Sequence, residues 1–530
     1  MTRWWPARVL VALVSGLALA LAFPSFNLPV LAWVSVAGVL VAMLGAPMRQ
    51  AALCGFLHGV AFYTATLPWV YTVMRVHGGV AVLPAAGVLA LMVAVLALFP
   101  AAFALGVAWI ARSGVGRACL AAPFLWVALE YARTHLPALG FPWDLLGYAA
   151  SGNLALLQIV TVTGIYGLSF LLAAYNALVA WAVRPREPHS GRRVVILLGA
   201  TAVLLVAGLV GGRLVPKDEP SANPIAHMVQ TNFPQSISYP PDWMERHAAE
   251  LDELERLSVS AGQRSPGLVI WPEVPAPFSF QDLRFTARAE RIARASQSNF
   301  LVGVVDWKPR PAPREAIADM SWAPYNSAAL LDASGRRLFL YDKIHLVPFG
   351  EYVPARRRLA FAGKLTAEIG DFQPGSAYKV GELPGNSADR GRTFAVFICY
   401  EAIFPDEVGR FVANGAELLI NLSNDGWFGR SSAPAQHLMM ARVRAVENRR
   451  WLLRATNNGL TVSVDPYGRY KAELAPDVRA VFDAPYNFRG DRTLYTRWGD
   501  WLAWLCLLAS AYFLFVGALP AAPHRRRKKA

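Results

Sequence analysis

Of the 530 residues, 55% are hydrophobic and only 16% charged, against about 25% charged in a typical soluble domain, which excludes a wholly water-soluble fold. The net charge of +15 does not indicate a nucleic-acid binder: fourteen basic residues and one acid, Glu187, fall in short connections and the tail, while the long polar stretch at 220–490 is nearly neutral and offers no basic face to a phosphate backbone. The four cysteines, Cys54, Cys119, Cys399 and Cys506, leave Cys399 without a disulfide partner in that stretch, and no Cys/His spacing marks a metal site.

In chain order, apolar runs come first. A bilayer core of about 30 Å needs about 20 apolar residues in a helix. Runs at about 8–23, 28–45, 51–73, 81–111, 118–134, 154–183 and 194–212 meet or approach this, as does one near 499–520. The expectation is therefore a polytopic α-helical bundle of eight spans. Arg3 and Arg8 ahead of a run ending in Ala-Leu-Ala also fit a cleaved signal peptide; N-terminal sequencing of the mature chain separates the two. Alternate connections carry Arg3, Arg8, Arg49, Arg112, Arg117, Arg184, Arg186, Arg192 and Arg193, and the tail at 525–529 is wholly basic. The positive-inside rule puts both termini in the cytoplasm and the polar stretch on the far side. Within the fifth run, Glu130 and Arg133 lie three residues apart and are expected to pair on one helix face. His58, Pro68 and Pro100 are read as helix-packing residues.

The stretch at 220–490 alternates short apolar runs with amphipathic segments, which indicates an α/β domain. Strands are predicted at 225–231, 267–271, 300–305, 327–331, 337–341, 393–399, 418–422, 451–455 and 461–465, and helices at 242–261, 282–297, 405–414 and 434–449. Residues 353–392 form an irregular insertion, read as a lid or a plain surface loop. The division is thus 1–215 (seven helices), 220–490 (one α/β domain) and 495–530 (a last helix and basic tail).

Three segments share one design, an apolar strand that ends in a reactive side chain. Leu268-Val-Ile-Trp-Pro-Glu273 holds a carboxylate just past a strand, where α/β sheets bind ligands and where it can act as a general base. Tyr341-Asp-Lys343 delivers an ammonium suited to stabilising an oxyanion, and Glu351 returns towards it past Pro348 and Gly350 as a second carboxylate. His345 is read as structural. Phe394-Ala-Val-Phe-Ile-Cys399-Tyr-Glu401 ends in a thiol at a strand-to-helix junction, where helix-end amides favour a thiolate.

Glu273, Lys343 and Cys399 in this order resemble the catalytic set of the nitrilase, or carbon–nitrogen hydrolase, superfamily. Asn421-Leu-Ser-Asn-Asp-Gly-Trp427 and Arg442-Val-Arg-Ala-Val-Glu447-Asn448 are also similar to it. The whole layout resembles its membrane-anchored branch, the apolipoprotein N-acyltransferases. Further signatures are Gly140-Phe-Pro-Trp143, Val229-Gln-Thr-Asn-Phe-Pro-Gln235, His345-Leu-Val-Pro-Phe-Gly-Glu351 and Thr456-Asn-Asn-Gly459.

The resemblance implies an α-β-β-α sandwich outside the inner membrane and no cofactor. It implies an acyl donor that is a membrane phospholipid, an acceptor that is the amine of S-diacylglyceryl-cysteine apolipoprotein, and a Cys399 thioester between them, in a monomer. It assigns supporting roles to Glu351, Tyr400, Glu401 and Tyr341, and substrate contacts to Asn326 and Trp427. The family places a tryptophan after the Pro-Gln-Ser segment; this chain has Tyr239 at the ungapped position and Trp243 four later, so either is a candidate for lining the site. Trp427 and Phe428 also fit a membrane-facing or a packing role.

Overall fold

The computed structural model describes residues 5–137, 139–183, 190–217, 224–236, 239–310, 322–352, 371–384 and 391–518. Among these, five helices are long and apolar enough to cross a bilayer: Val82–Ala111, Val115–Thr134, Ile165–Ala182, Gly191–Leu214 and Trp501–Ala518. Met48–Thr66 and Pro68–His77, bent by 54°, make a sixth if taken as one span. The expected eight is not reached by length and composition. The first run forms the 16-residue helix Trp5–Ala20, about 24 Å long at 1.5 Å per residue and so short of a full hydrocarbon core. The second breaks into Pro29–Trp33 and Ser35–Met43.

The run at 154–183 is also interrupted. Short helices Leu154–Leu157 and Val160–Thr163 precede Ile165–Ala182, and the break falls at Gly164 with φ +63°. A Cβ at Gly164 would sit 2.5 Å from the Tyr495 ring, so only glycine fits the corner. Glu130 and Arg133 do not bond to each other. Glu130 Oε1 accepts from the Trp126 indole N–H (2.9 Å) and the Leu146 backbone N–H (2.7 Å). Arg133 donates to the Tyr63 hydroxyl and to the Trp143 carbonyl.

Among the described residues the α/β domain has twelve strands: β1 Ile225–Gln230, β2 Leu268–Ile270, β3 Asn299–Pro309, β4 Trp322–Leu331, β5 Arg337–Asp342, β6 Gly381–Leu383, β7 Arg392–Ile398, β8 Leu418–Ser423, β9 Trp451–Thr456, β10 Thr461–Val464, β11 Tyr470–Leu474 and β12 Ala480–Pro485. They form two six-stranded sheets, ordered β12-β1-β2-β3-β4-β5 and β11-β10-β9-β8-β7-β6. All nine predicted strands are present. Strand side chains alternate between faces: Leu268 and Ile270 join the core between the sheets, with Val396 and Ile420, whereas Val269 packs outward on Leu251, Leu254 and Ile292. Those three residues belong to helices Ala248–Arg264 and Leu283–Ser296, the outer layer of the first sheet. Helices Pro405–Ala413 and Ala433–Asn448 form the other outer layer. The expected α-β-β-α sandwich is what this chain builds.

The layer of the second sheet rests on the bundle. Met440, Val443 and Val446 of helix Ala433–Asn448 share one buried cluster with Leu157, Val160 and Tyr148. Polar groups of the same helix are satisfied across the junction. Gln436 Oε1 accepts from the Trp143 indole (2.8 Å), Glu447 Oε1 accepts from the Ile165 backbone N–H (2.8 Å), and Arg444 donates to the Tyr148 hydroxyl (3.0 Å). Of the predicted insertion, 353–370 and 385–390 lie outside the described residues.

Candidate active site

Three strand ends bring the predicted side chains together. After β2, Trp271 and Pro272 carry the chain over β3 at Gly303. A Cβ there would lie 2.4 Å from the Pro272 carbonyl oxygen and 2.7 Å from the Glu273 Cα, so glycine sets how closely Glu273 approaches the sheet. The Glu273 carboxylate is buried. Its Oε1 accepts from Asn326 Nδ2 (2.8 Å) and lies 3.3 Å from Lys343 Nζ, and its Oε2 accepts from the Asn424 backbone N–H (2.9 Å).

Lys343 follows β5, with its backbone N–H donated to the Asn326 carbonyl (2.8 Å). Its ammonium is 1% exposed and bridges Glu273 and Glu351, the latter at 3.0 Å. Glu351 also accepts from Asn326 Nδ2 (2.7 Å) and from the Val347 N–H (2.8 Å). Asn326 thus ties both carboxylates while its own Oδ1 is buried without a hydrogen-bond partner among the described residues. Burial alone would lower the basicity of Lys343, but Glu351 and then Glu273 outweigh it and hold the ammonium above the ordinary lysine range.

Cys399 is the first residue after β7, at φ +50°, in the left-handed region that a side-chain-bearing residue adopts only when its surroundings enforce it. Its carbonyl accepts from His437 Nε2 (2.9 Å). Burial, then the Glu273 charge, push the thiol well above its ordinary value, and Lys343 offsets this only in part. Cys399 opens a one-turn 3-10 segment, Cys399–Ile403, and the α-helix begins only at Pro405.

Glu401 fixes this corner. Its Oε1 accepts from the Tyr341 hydroxyl (2.6 Å) and the Ile344 (2.7 Å) and His345 (3.2 Å) N–H groups, and its Oε2 accepts from the Ile398 N–H (2.6 Å). Burial pushes Glu401 up to about 7, against the pull of the Ile398 N–H, Tyr341 and Lys343. Four donors converge on two oxygens, so the geometry holds the carboxylate form. Glu401→Gln turns a donor towards those N–H groups, and the expected outcome is a loss of about 1–3 kcal/mol of stability, read as a lower thermal midpoint in detergent, together with reduced activity.

The bundle and the sandwich each match a family model. The apolipoprotein N-acyltransferase N-terminal domain matches residues 15–178 and carbon-nitrogen hydrolase matches 229–484. The apolipoprotein N-acyltransferase of Geobacter metallireducens is 38% identical over 511 residues, covering 95% of this chain and 94% of its own. This chain belongs to the apolipoprotein N-acyltransferase family. The relative from Methylococcus capsulatus is 36% identical over 502 residues and 93% of each chain. The crystal structure of an amidase from a Nesterenkonia species is 20% identical with a TM-score of 0.37, covering 54% of this chain and 97% of its own.

Other residues expected to matter in this acyltransferase family chain divide clearly. The Tyr400 hydroxyl donates to the Gly140 carbonyl in the bundle (3.2 Å), which ties the residue after Cys399 to the membrane part. His345 stacks on Phe404 (3.7 Å) and bonds Glu407 (2.7 Å), a packing role as expected. Trp243 is buried among Phe233, His247 and Phe278, in the short helix Trp243–Arg246. The Tyr239 ring packs on Trp243 in the same cluster.

Trp427 meets His77 (5.3 Å), and Phe428 meets Trp69 (5.2 Å), so this pair touches the bent segment of the bundle. The sequence did not disclose Asp425, Arg454 and His437. Arg454 Nη2 donates to both Asp425 oxygens (2.8 and 2.9 Å), and it also contacts Nδ1 of His437 (3.1 Å), the residue that holds the Cys399 carbonyl. Burial works against the Asp425 charge, but Arg454 and His437 hold its carboxyl well below the usual range. The available signal was Arg454 within an otherwise apolar strand, a position that requires a buried partner.

Proposed function

We propose that the chain transfers an acyl group from a membrane phospholipid to the N-terminal amine of S-diacylglyceryl-cysteine apolipoprotein through a thioester on Cys399. The observation that carries this reading is the buried cluster of Cys399, Lys343 and Glu273 one residue from a direct contact with the bundle. Because burial keeps the thiol protonated, a base is needed. Glu273 takes the proton as Sγ attacks the ester carbonyl, and Lys343 stabilises the oxyanion. The ester C–O bond breaks, the glycerol oxygen takes the proton, and lysophospholipid leaves. The lipoprotein amine then attacks the thioester, its proton passes through Glu273 to the departing sulfur, and triacylated lipoprotein is released. This is two-step covalent, ping-pong catalysis.

Glu351 and Asn326 hold Lys343 and Glu273 in register, Tyr341 and Glu401 brace the Cys399 turn, and Trp427 lies beside the entry for lipid. In this reading 1–215 and 495–530 anchor a catalytic unit at 220–490 on the periplasmic side of a bacterial inner membrane, with both termini cytoplasmic, and a monomer suffices without any cofactor. Limiting water at the site protects the thioester, and seating the outer layer on the bundle supports that. The test is mass spectrometry of the protein incubated with phospholipid. A fatty-acyl adduct on Cys399 that a diacylated lipopeptide discharges is expected. No adduct under active conditions, or discharge as fast by water alone, which fits an anchored amidase, overturns the proposal.

A further inference from the structure

The main chain of the nucleophile is held by a buried polar chain that the acyl-transfer steps leave unused. Cys399 sits at φ +50°, where β7 gives way to the 3-10 segment Cys399–Ile403. Its carbonyl oxygen lies 2.9 Å from His437 Nε2. A carbonyl can only accept, so Nε2 carries the hydrogen, and the Nδ1 lone pair faces Arg454 Nη2 at 3.1 Å. Arg454 is fixed in turn by Asp425 and by Asn421 Oδ1. Asp425, His437 and Arg454 are all buried. Burial and the Arg454 charge hold the imidazole below its ordinary range against the pull of Asp425, so it stays neutral and keeps one tautomer.

A buried histidine needs partners for its nitrogens in any case, and that alone would give His437 no part in the reaction. The peptide it holds argues for more. A trans peptide is planar, with its C=O and N–H pointing opposite ways, so a fixed Cys399 carbonyl fixes the direction of the Tyr400 N–H. Other main-chain N–H groups around the cluster are spent: those of Ile398, Ile344 and His345 go to Glu401, and that of Asn424 goes to Glu273. No carboxylate of the described residues takes the Tyr400 N–H. The N–H that follows a nucleophile at a strand-to-helix turn is placed to meet an oxyanion formed on that nucleophile. The surroundings steady the same peptide: the Tyr400 hydroxyl donates to the Gly140 carbonyl, and the Trp143 ring of the bundle stacks on His437 at 5.9 Å.

We infer that His437 is a positioning residue for acyl transfer: through the Cys399 carbonyl it aims the Tyr400 N–H at the ester oxygen that becomes anionic as the Sγ–C bond forms. The inference rests on the thioester route proposed above. Asp425 and Arg454 set the tautomer of His437 and touch no reacting atom. Lys343 serves the same oxygen from its side chain, so removing His437 weakens the oxyanion site without abolishing it.

The test separates two reactions of one sulfur. Attack on a phospholipid ester passes through an oxyanion; displacement of iodide from iodoacetamide does not. Both need Sγ in place and a base to take its proton. Mass spectrometry of the Cys399 peptide follows both rates in full-length protein in detergent. His437→Leu is expected to slow acylation by about 10²-fold, as loss of aim at an oxyanion does, at an unchanged half-saturating phospholipid concentration, while alkylation of Cys399 keeps its wild-type rate. His437→Gln, whose amide N–H reaches the same carbonyl, is expected to restore acylation. His437→Asn, polar but too short to reach it, should give the same split as His437→Leu and serves if that variant does not fold. Equal slowing of acylation and alkylation, the mark of a histidine that only keeps the turn folded, overturns the inference, as does unchanged acylation in His437→Leu and His437→Asn, or no rescue by His437→Gln. Absence of the acyl adduct from the wild type overturns the thioester route itself, and this inference with it.

Discussion

Replacing Cys399 by alanine is expected to reduce acyl transfer by about 10⁴-fold or more while leaving the protein folded. The loss follows from the chemistry: without Sγ neither the thioester nor the second half-reaction can occur, and Glu273 cannot substitute because both its oxygens are engaged by Asn326, Lys343 and the Asn424 N–H. The fold is spared because the structural bonds of this residue run through its backbone. The His437 contact is to the carbonyl oxygen, and the positive φ is no harder for alanine than for cysteine. Transfer from labelled phospholipid to a diacylated lipopeptide, with thermal unfolding alongside, measures both. Retained transfer in a well-folded Cys399→Ala protein would refute the thioester route.

Lys343→Met is the second severe change. Methionine nearly matches the side-chain volume but leaves Glu273 and Glu351 buried with no cation, both bonded to the single Asn326 amide. Two adjacent carboxylates in low dielectric cannot both stay ionised, so one takes a proton at neutral pH and the base is compromised. The oxyanion donor is lost too, an effect of about 10²–10³ on its own. Together these are expected to slow adduct formation on Cys399 by about 10³-fold or more. Breaking the buried pair should also cost about 3–5 kcal/mol of stability. Single-turnover mass spectrometry gives the rate and thermal unfolding the stability. A variant with normal acylation would remove Lys343 from the mechanism.

Much of the sandwich was legible because its inner strands are continuous apolar runs closed by proline or a charged residue. Leu268–Ile270 before Trp-Pro-Glu273 is of this kind, Phe394–Ile398 runs directly into Cys399, and these run ends marked the reactive side chains. The strands that sequence reasoning missed, β6, β11 and β12, are edge strands with mixed burial. β12 exists by pairing antiparallel with β1 across the domain, Ile225 opposite Pro485, which no local pattern encodes. The bundle misled for the opposite reason. Apolar runs give no hint that Gly164 breaks one of them or that Val34 separates two short helices, since helices packed against protein need not span the bilayer. Trp243 was ambiguous because an aromatic near a motif reads alike whether it faces a ligand or a core. The protonation of Cys399 depends on its burial and on the charge of Glu273, which comes from a segment more than a hundred residues earlier.

The seat between helix Ala433–Asn448 and the bundle has a practical consequence. Gln436, Arg444 and Glu447 find their partners on Trp143, Tyr148 and Ile165, and Met440, Val443 and Val446 are dry only because the bundle covers them. An excised water-soluble fragment would carry an oily stripe studded with orphaned charges, and would clump or cling to micelles. Inhibitor screening against this enzyme therefore has to start from the intact chain in a lipid-like environment.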